Sequence, residues 1–223
     1  MREQAKPATA RRSARPAKKK PQTRAERSER TRDALFRAAA EVVGEVGYAD
    51  ASIAKITERA EVAQGTFYNY FESRQDLFDQ LLPTLGQEML EYIKERLDPD
   101  ATGAEREIQR IKAYFQYLEE FPEFYRILYE AETLAPKAHH KHMEVIAGGY
   151  TRSLQRSWAK GEMPGFDKRE LEIIAYVLLA ARGYIGMRYR EDGNGIRIPK
   201  WVVNTYAKLI RQGLFAGEEN GEG

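Results

Sequence analysis

Apolar residues recur along this chain at intervals of three and four, the period of an α-helix, over nearly its whole length. Leu35, Ala39, Val42, Val43 and Val46 form the first stripe and predict a helix from about Ser28 to Val46, with Gly47 as its stop. Ile53, Ile56 and Ala60 give one face to a short second helix over roughly 52 to 60. Val62 plugs the turn that follows, and Phe67 anchors a third helix over roughly 64 to 70. A fourth opens at Ser73, which forms a capping box with Asp76, and runs on through Leu77, Phe78, Leu81, Leu82, Leu85 and Met89. Pro83 and Gly86 interrupt that helix. A proline there lacks a backbone donor and clashes with the preceding turn, so a kink or break is expected.

Beyond Asp98-Pro99 the pattern stays helical. One segment spans about 103 to 120, with Ile108, Ile111, Tyr114, Phe115 and Leu118 on one face. The next starts at Pro122 and holds Phe124, Tyr125, Leu128 and Tyr129. A long helix runs from Pro136 to Lys160 and ends at Gly161, and two more cover about 167 to 189 and 199 to 215. Between these last two, Asp192-Gly193-Asn194-Gly195 is a turn signal. No alternating strand pattern of useful length occurs. The expected fold is all-α with about nine helices: a three-helix unit over 28–75, a larger helical domain over 76–216, a basic arm over 1–27 and a flexible tail over 217–223.

Composition narrows the class. Mean hydropathy is −0.65 and no run of about 18 apolar residues exists, so no transmembrane helix and no membrane partner are expected. The N-terminus is basic but has no apolar core of a secretory signal. The absence of cysteine excludes disulfides, thiolate zinc sites and cysteine nucleophiles, and fits a reducing, cytoplasmic location. Charge is unevenly placed. Residues 1–27 hold ten Lys or Arg against Glu3 and Glu26, while the remainder carries six more acids than bases. The arm, with Pro7, Pro16 and Pro21 around Lys18-Lys19-Lys20, has no helical period and should be disordered in isolation. It is either a solubilising tail or an arm that reaches a polyanion at one end of the molecule.

The third helix points to that polyanion. Around Phe67 it carries Gln64, Gly65, Thr66, Tyr68, Asn69 and Tyr70. Amides there suit base edges in a major groove, and hydroxyls suit phosphate oxygens. The residues Gly47-Tyr48, Ser52-Ile53, Ala60, Val62, Gly65-Thr66-Phe67-Tyr68, Tyr70-Phe71, Ser73-Arg74 and Leu77, in this order and without a gap, resemble the helix-turn-helix of the TetR family of bacterial transcriptional repressors. The resemblance covers roughly residues 29 to 80. Three positions depart from the family pattern: Glu61 stands for a turn glycine, Thr57 for an alanine, and Ala63 for the Ser or Thr that caps the recognition helix. The lost cap should cost about 1 kcal/mol. The resemblance implies that Gln64 and Asn69 read bases, that Tyr68 contacts base or phosphate, that Thr66, Tyr70 and Arg74 hold phosphates, and that Gly65 lets the backbone approach DNA. It also implies a dimer on palindromic operator DNA and a small-molecule effector in the larger domain.

That domain is rich in aromatics. Tyr114, Tyr117, Phe124, Tyr125, Tyr129, Met143, Tyr150 and Tyr176 are candidates for a pocket with apolar walls and a few hydroxyls, against the plainer reading of ordinary core. Ala180, Gly183, Tyr184 and Met187, with Trp201 and Tyr206 on the last helix, are candidates for a homodimer face. His139 and His142 share a helix face at i, i+3, near Glu130 and Glu132. No HExxH spacing occurs, so no metal and no cofactor are assigned. The expected function is a ligand-responsive repressor. An architectural DNA-binding protein without a ligand is the alternative. A helical enzyme is the weaker one, because no phosphate loop, serine elbow or metal-spaced carboxylates appear.

Overall fold

The computed structural model describes residues 23–191 and 195–214. The basic arm before Thr23, the middle of the Asp192–Gly195 turn and the tail from 215 lie outside the described residues. Among the described residues the chain forms nine α-helices and no sheet: α1 Arg24–Asp50, α2 Ile53–Arg59, α3 Gln64–Phe67, α4 Arg74–Glu95, α5 Gly103–Glu120, α6 Glu123–Leu134, α7 Pro136–Ala159, α8 Leu171–Arg188 and α9 Lys200–Leu209. A 3₁₀ turn, Lys168–Glu170, leads into α8, and a π turn, Ile210–Leu214, follows α9. Arg190 and Ile196, between α8 and α9, form an isolated antiparallel bridge.

The first helix begins four residues before the expected Ser28. The Thr23 hydroxyl accepts from the Glu26 amide at 3.2 Å and the Glu26 carboxylate accepts from the Thr23 amide at 2.8 Å, a capping box that satisfies two otherwise orphaned donors. Gly47 breaks the helix with φ +82°, a backbone state that a side chain disfavours, and one more turn runs to Asp50.

Leu35, Phe36, Val43, Ile56, Phe67 and Phe71 close the core of the small N-terminal unit. Phe71 packs edge-on to Phe36, with ring centroids 5.3 Å apart, and beside Phe67. Thr57 is buried there, and its hydroxyl donates to the Ile53 carbonyl at 2.9 Å, so it replaces an apolar residue without leaving a donor unpaired. The third helix is shorter than expected, four residues instead of seven. The amides of Asn69 and Tyr70 bond three residues back, to Thr66 and Phe67, and this tight winding swings Phe71 into the core. Ala63 caps it without a side-chain hydrogen bond.

The fourth helix runs unbroken through Pro83 and Gly86, contrary to the expected interruption. Leu81, Leu82 and Leu85 bury the flanking turns and hold the helix in register, while Pro83 keeps its missing donor on a partly exposed side. At its start, the Ser73 hydroxyl accepts from the Asp76 amide at 3.1 Å. Asp76 reaches back to the Glu72 amide rather than to that of Ser73.

The N-terminal unit docks on the larger domain chiefly through α1 and α6. Arg126 donates to the carbonyls of Gly44 and Glu45 at 3.2 and 3.0 Å, and its Nε pairs with Glu130 at 2.6 Å. The other Glu130 oxygen accepts from the Tyr48 amide at 2.9 Å. Two side chains of one helix thus satisfy the backbone left open where α1 breaks.

One residue in the helix-turn-helix is strained. Glu61, between α2 and α3, takes φ +56°, and among the described residues it is the one non-glycine with positive φ. Its side chain is exposed and makes no contact that needs a glutamate. A left-handed residue costs about 1–2 kcal/mol, which the lower chain entropy of a non-glycine offsets in part. Glu61→Gly should therefore raise stability by about 0.5–1 kcal/mol, seen as a higher midpoint in thermal unfolding.

Candidate functional site

The recognition surface lies on and just after α3. Gln64, Gly65, Tyr68 and Asn69 are exposed, Tyr68 to 59%, while Phe67 beneath them is fully buried. Thr66 and Tyr70 are half-buried, and Tyr70 also packs against the core. Gly65 has no internal reason to be glycine. Its φ is ordinary, and a Cβ built there would meet no atom within 4 Å. Arg74 is exposed but occupied. It donates to the Ala49 carbonyl at 3.2 Å and to that of Ala51 at 3.4 Å, and its guanidinium lies 5.5 Å from the Phe78 ring centre. It braces the end of α1 against α4, a role that the sequence did not reveal.

A cavity of about 250 Å³ opens in the larger domain between α4, α5, α6, α7 and α8. Five of the eight pocket candidates line it: Tyr114, Phe124, Tyr129, Met143 and Tyr176. Tyr117 does not, because it is buried with its hydroxyl on the Leu85 carbonyl and its ring on Phe124. Tyr125 stacks against Tyr129 at 4.4 Å and turns toward Gly186, and Tyr150 is held in a polar network behind the cavity wall. The cavity also takes in residues the sequence did not single out for it, Met89, Leu128, Leu179 and Arg182. Glu132, Ala180 and Tyr184 are exposed, and with Tyr176 they form its mouth.

The polar network joins α5, α7 and α9. Glu107, only 2% exposed, pairs with Arg110 at 2.7 Å and accepts from the Tyr206 hydroxyl at 2.7 Å. Arg110 also donates to Ser153 at 2.8 Å and stands 4.4 Å from the Tyr150 ring centre. Burial, and then the Glu107 charge, raise the Tyr206 and Tyr150 hydroxyls well above the ordinary tyrosine value, so both stay protonated. Tyr206 is therefore core, not dimer face. The small-residue stripe of α8 is divided in the same way. Gly186 is buried against Tyr125 and Leu118, and Gly183 lies close to the Tyr129 hydroxyl.

The opposite side of α8 is apolar and uncovered. Ile173, Tyr176, Val177, Ala180, Tyr184 and Met187 follow one another at helical spacing, and all are exposed, as are Trp201 and Leu209 on α9. A helix that is apolar on every side belongs in a core or an interface. Among the described residues no three His, Asp or Glu side chains converge as a metal site, and no helix is long and apolar enough to cross a membrane.

A short recognition helix packed on two others, carried by a larger helical domain with its own cavity, is the build of a bacterial regulatory protein that binds DNA. Residues 35–81 match the family model described as "Bacterial regulatory proteins, tetR family". Over that stretch, which holds α2, α3 and parts of α1 and α4, the chain carries the DNA-binding motif of the TetR family. It is 33% identical to the fatty acid metabolism regulator protein of Bacillus subtilis over 84 residues, which span 38% of this chain and 43% of that relative. Its fold is similar to the fatty acid degradation regulator FadR from Bacillus halodurans, with TM-score 0.66, 21% identity, and coverage of 85% of this chain and 96% of that one. It is also similar to FadR from Bacillus subtilis, solved in complex with stearoyl-CoA, with TM-score 0.64, 20% identity, and coverage of 80% and 96%.

His142 connects the cavity to α4. It is buried, lines the cavity, and presses its ring against the Cα of Gly86, where no Cβ could fit. Burial, the charge of Arg182 and then His139 push its pKa down from 6.5 to about 3, so the folded state holds it neutral. The folded pKa lies below the unfolded one. The unfolded chain therefore binds the proton first, and stability falls as pH drops below about 6.5. Between pH 6.5 and pH 5 this one group should cost about 1–2 kcal/mol. His142→Gln should flatten the pH dependence of the urea midpoint over that interval relative to the native protein. Parallel curves for the two proteins would show that His142 is not the titrating group.

Proposed function

We propose that this protein is a dimeric, ligand-responsive transcriptional repressor of the cytoplasm, which binds palindromic operator DNA through α3 and leaves it when a small apolar or amphipathic effector fills the cavity. The observation that carries the DNA reading is Gly65. Nothing inside the chain needs a glycine there, yet it sits on the exposed face with Gln64, Tyr68 and Asn69. Close approach of that backbone to a DNA strand explains it. Gln64 and Asn69 read base edges, Tyr68 a base or a phosphate, and Thr66 and Tyr70 hold phosphates. Arg74 adds charge to the phosphates while bracing α1, so its loss weakens both fold and binding. The basic arm supplies counterion release from one end.

The cavity supports an effector, and the architectural reading without a ligand has no use for one. A neighbour of the same fold has been solved with stearoyl-CoA, which supports a ligand for a protein of this build. The effector signal passes through α6. Phe124, Leu128, Tyr129 and Glu132 of that helix line the cavity, and Arg126 and Glu130 grip α1. A ligand with different affinity for two settings of α6 shifts the N-terminal units and so their spacing on DNA. The uncovered face of α8, with Trp201 and Leu209, pairs with its two-fold mate and places two α3 helices about one DNA turn apart.

Three results are expected. On operator DNA selected with the purified protein, Gln64→Ala and Asn69→Ala should each lose about 1–3 kcal/mol of sequence discrimination. Gly65→Leu should unfold at the native temperature or above it and yet bind operator at least tenfold more weakly; native affinity in that variant would remove α3 from the DNA. Val177→Glu and Ala180→Glu should sediment as monomers, since each would bury an unpaired charge in the interface. A stable dimer in both would place the interface elsewhere.

A further inference from the structure

The cavity floor holds a buried cation with no carboxylate on it. Arg182 is 8% exposed and is the one charged residue in the apolar run 173–187. Its guanidinium lies 4.4 Å from the ring centre of Tyr114 and 5.8 Å from that of Tyr150. Among the described residues no carboxylate or carbonyl accepts a hydrogen bond from it. The one buried carboxylate nearby, Glu107, is already matched by Arg110 at 2.7 Å and by the Tyr206 hydroxyl at 2.7 Å. The interior behind α8 therefore carries one guanidinium more than it has carboxylates. The acid of the cavity, Glu132, is exposed at the mouth on α6. An arginine keeps its charge at any ordinary pH, and a buried charge calls for a partner.

We infer that the cavity takes a small amphipathic carboxylate, its acid group on the Arg182 guanidinium and its apolar body among Phe124, Leu128, Met143 and Ile146. This rests on the reading of the cavity as an effector site and narrows it. A planar guanidinium fork matches a carboxylate with two parallel hydrogen bonds, and the faces of Tyr114 and Tyr150 keep the fork in plane. The volume of about 250 Å³ lies just below the ~300–1,000 Å³ usual for small-molecule pockets, which favours a short chain or a single ring. A coenzyme A thioester offers no anion at its acyl end, so it would leave Arg182 unpaired.

Calorimetry on the full-length protein without DNA tests this. The probes are octanoate and 3-phenylpropionate, their uncharged matches 1-octanol and 3-phenylpropanol, and octanoyl-CoA. At least one acid should bind tenfold or more tightly than its alcohol, and octanoate should bind more tightly than octanoyl-CoA. Arg182→Met should erase the preference for the acid and leave the alcohol unchanged, while Arg182→Lys should retain part of it. The comparison within the native protein stands even if a variant fails to fold. Alcohols equal to acids, octanoyl-CoA tighter than octanoate, no binding of either acid, or an undiminished preference in a folded Arg182→Met protein would each overturn the assignment. Operator release is read separately. Acids that bind through Arg182 but leave DNA affinity unchanged would refute the repressor reading and leave the carboxylate site standing.

Discussion

Where α1 breaks at Gly47, backbone carbonyls and an amide are left that no helix can satisfy, and α6 satisfies them. Arg126 takes two carbonyls and Glu130 takes the Tyr48 amide, while the two side chains pair with each other at 2.6 Å. Bonds of this kind are charge-assisted and directional. They fix not only that the two parts of the chain touch but at what angle. The covalent link through α4 adds a second brace, since His142 of α7 is seated on Gly86 with no space between. The small unit that presents Gln64, Tyr68 and Asn69 is therefore oriented by two helices that also wall the cavity.

That arrangement gives the proposed switch its physical form. A helix transmits motion well because its backbone bonds resist bending, and α6 shows one side to the cavity and another to α1. Coupling requires that the ligand distinguish two settings of the helix, not that any contact break. An anion seated on Arg182 would alter the charge beside Tyr114 and Tyr129 and draw α8 against α6. The mouth of the cavity, at Tyr176, Ala180 and Tyr184, lies on the same uncovered strip of α8 proposed to meet a second copy. Ligand entry and dimer geometry would then share residues.

Much of the fold was legible from period and caps. The helices from α4 to α9 follow from apolar spacing, from Pro122 and Pro136 at helix starts and from Gly161 at an end, and the family match at 35–81 agrees with the motif read from Gly47 to Leu77. Local rules failed where tertiary packing outvoted them. Pro83 reads as a breaker, but Leu81, Leu82 and Leu85 hold the helix together. Tyr117, Tyr125 and Tyr150 look like pocket residues because aromatic content does not say which way a ring faces. Tyr206 looks like interface until its hydroxyl is found on Glu107, a pairing across 99 residues that no local pattern encodes. The lone Arg182 in an apolar run was visible in the sequence, and its meaning needed the cavity.

In the proposed switch, α6 carries cavity occupancy to the broken end of α1. Hydrogen exchange at the Tyr48 amide, whose acceptor is Glu130, reads that coupling out. A tryptophan at Met143 would fill the cavity from the side of α7 without touching either α1 or α6 backbone, independent of what the natural effector is. Exchange at Tyr48 and through the last turn of α1 is expected to differ between the native protein and Met143→Trp, and the difference should vanish when Glu130→Ala, which removes the acceptor of the Tyr48 amide, is added to both. Identical exchange at Tyr48 in the two proteins, with changes confined to α7 and α8, would contradict the account.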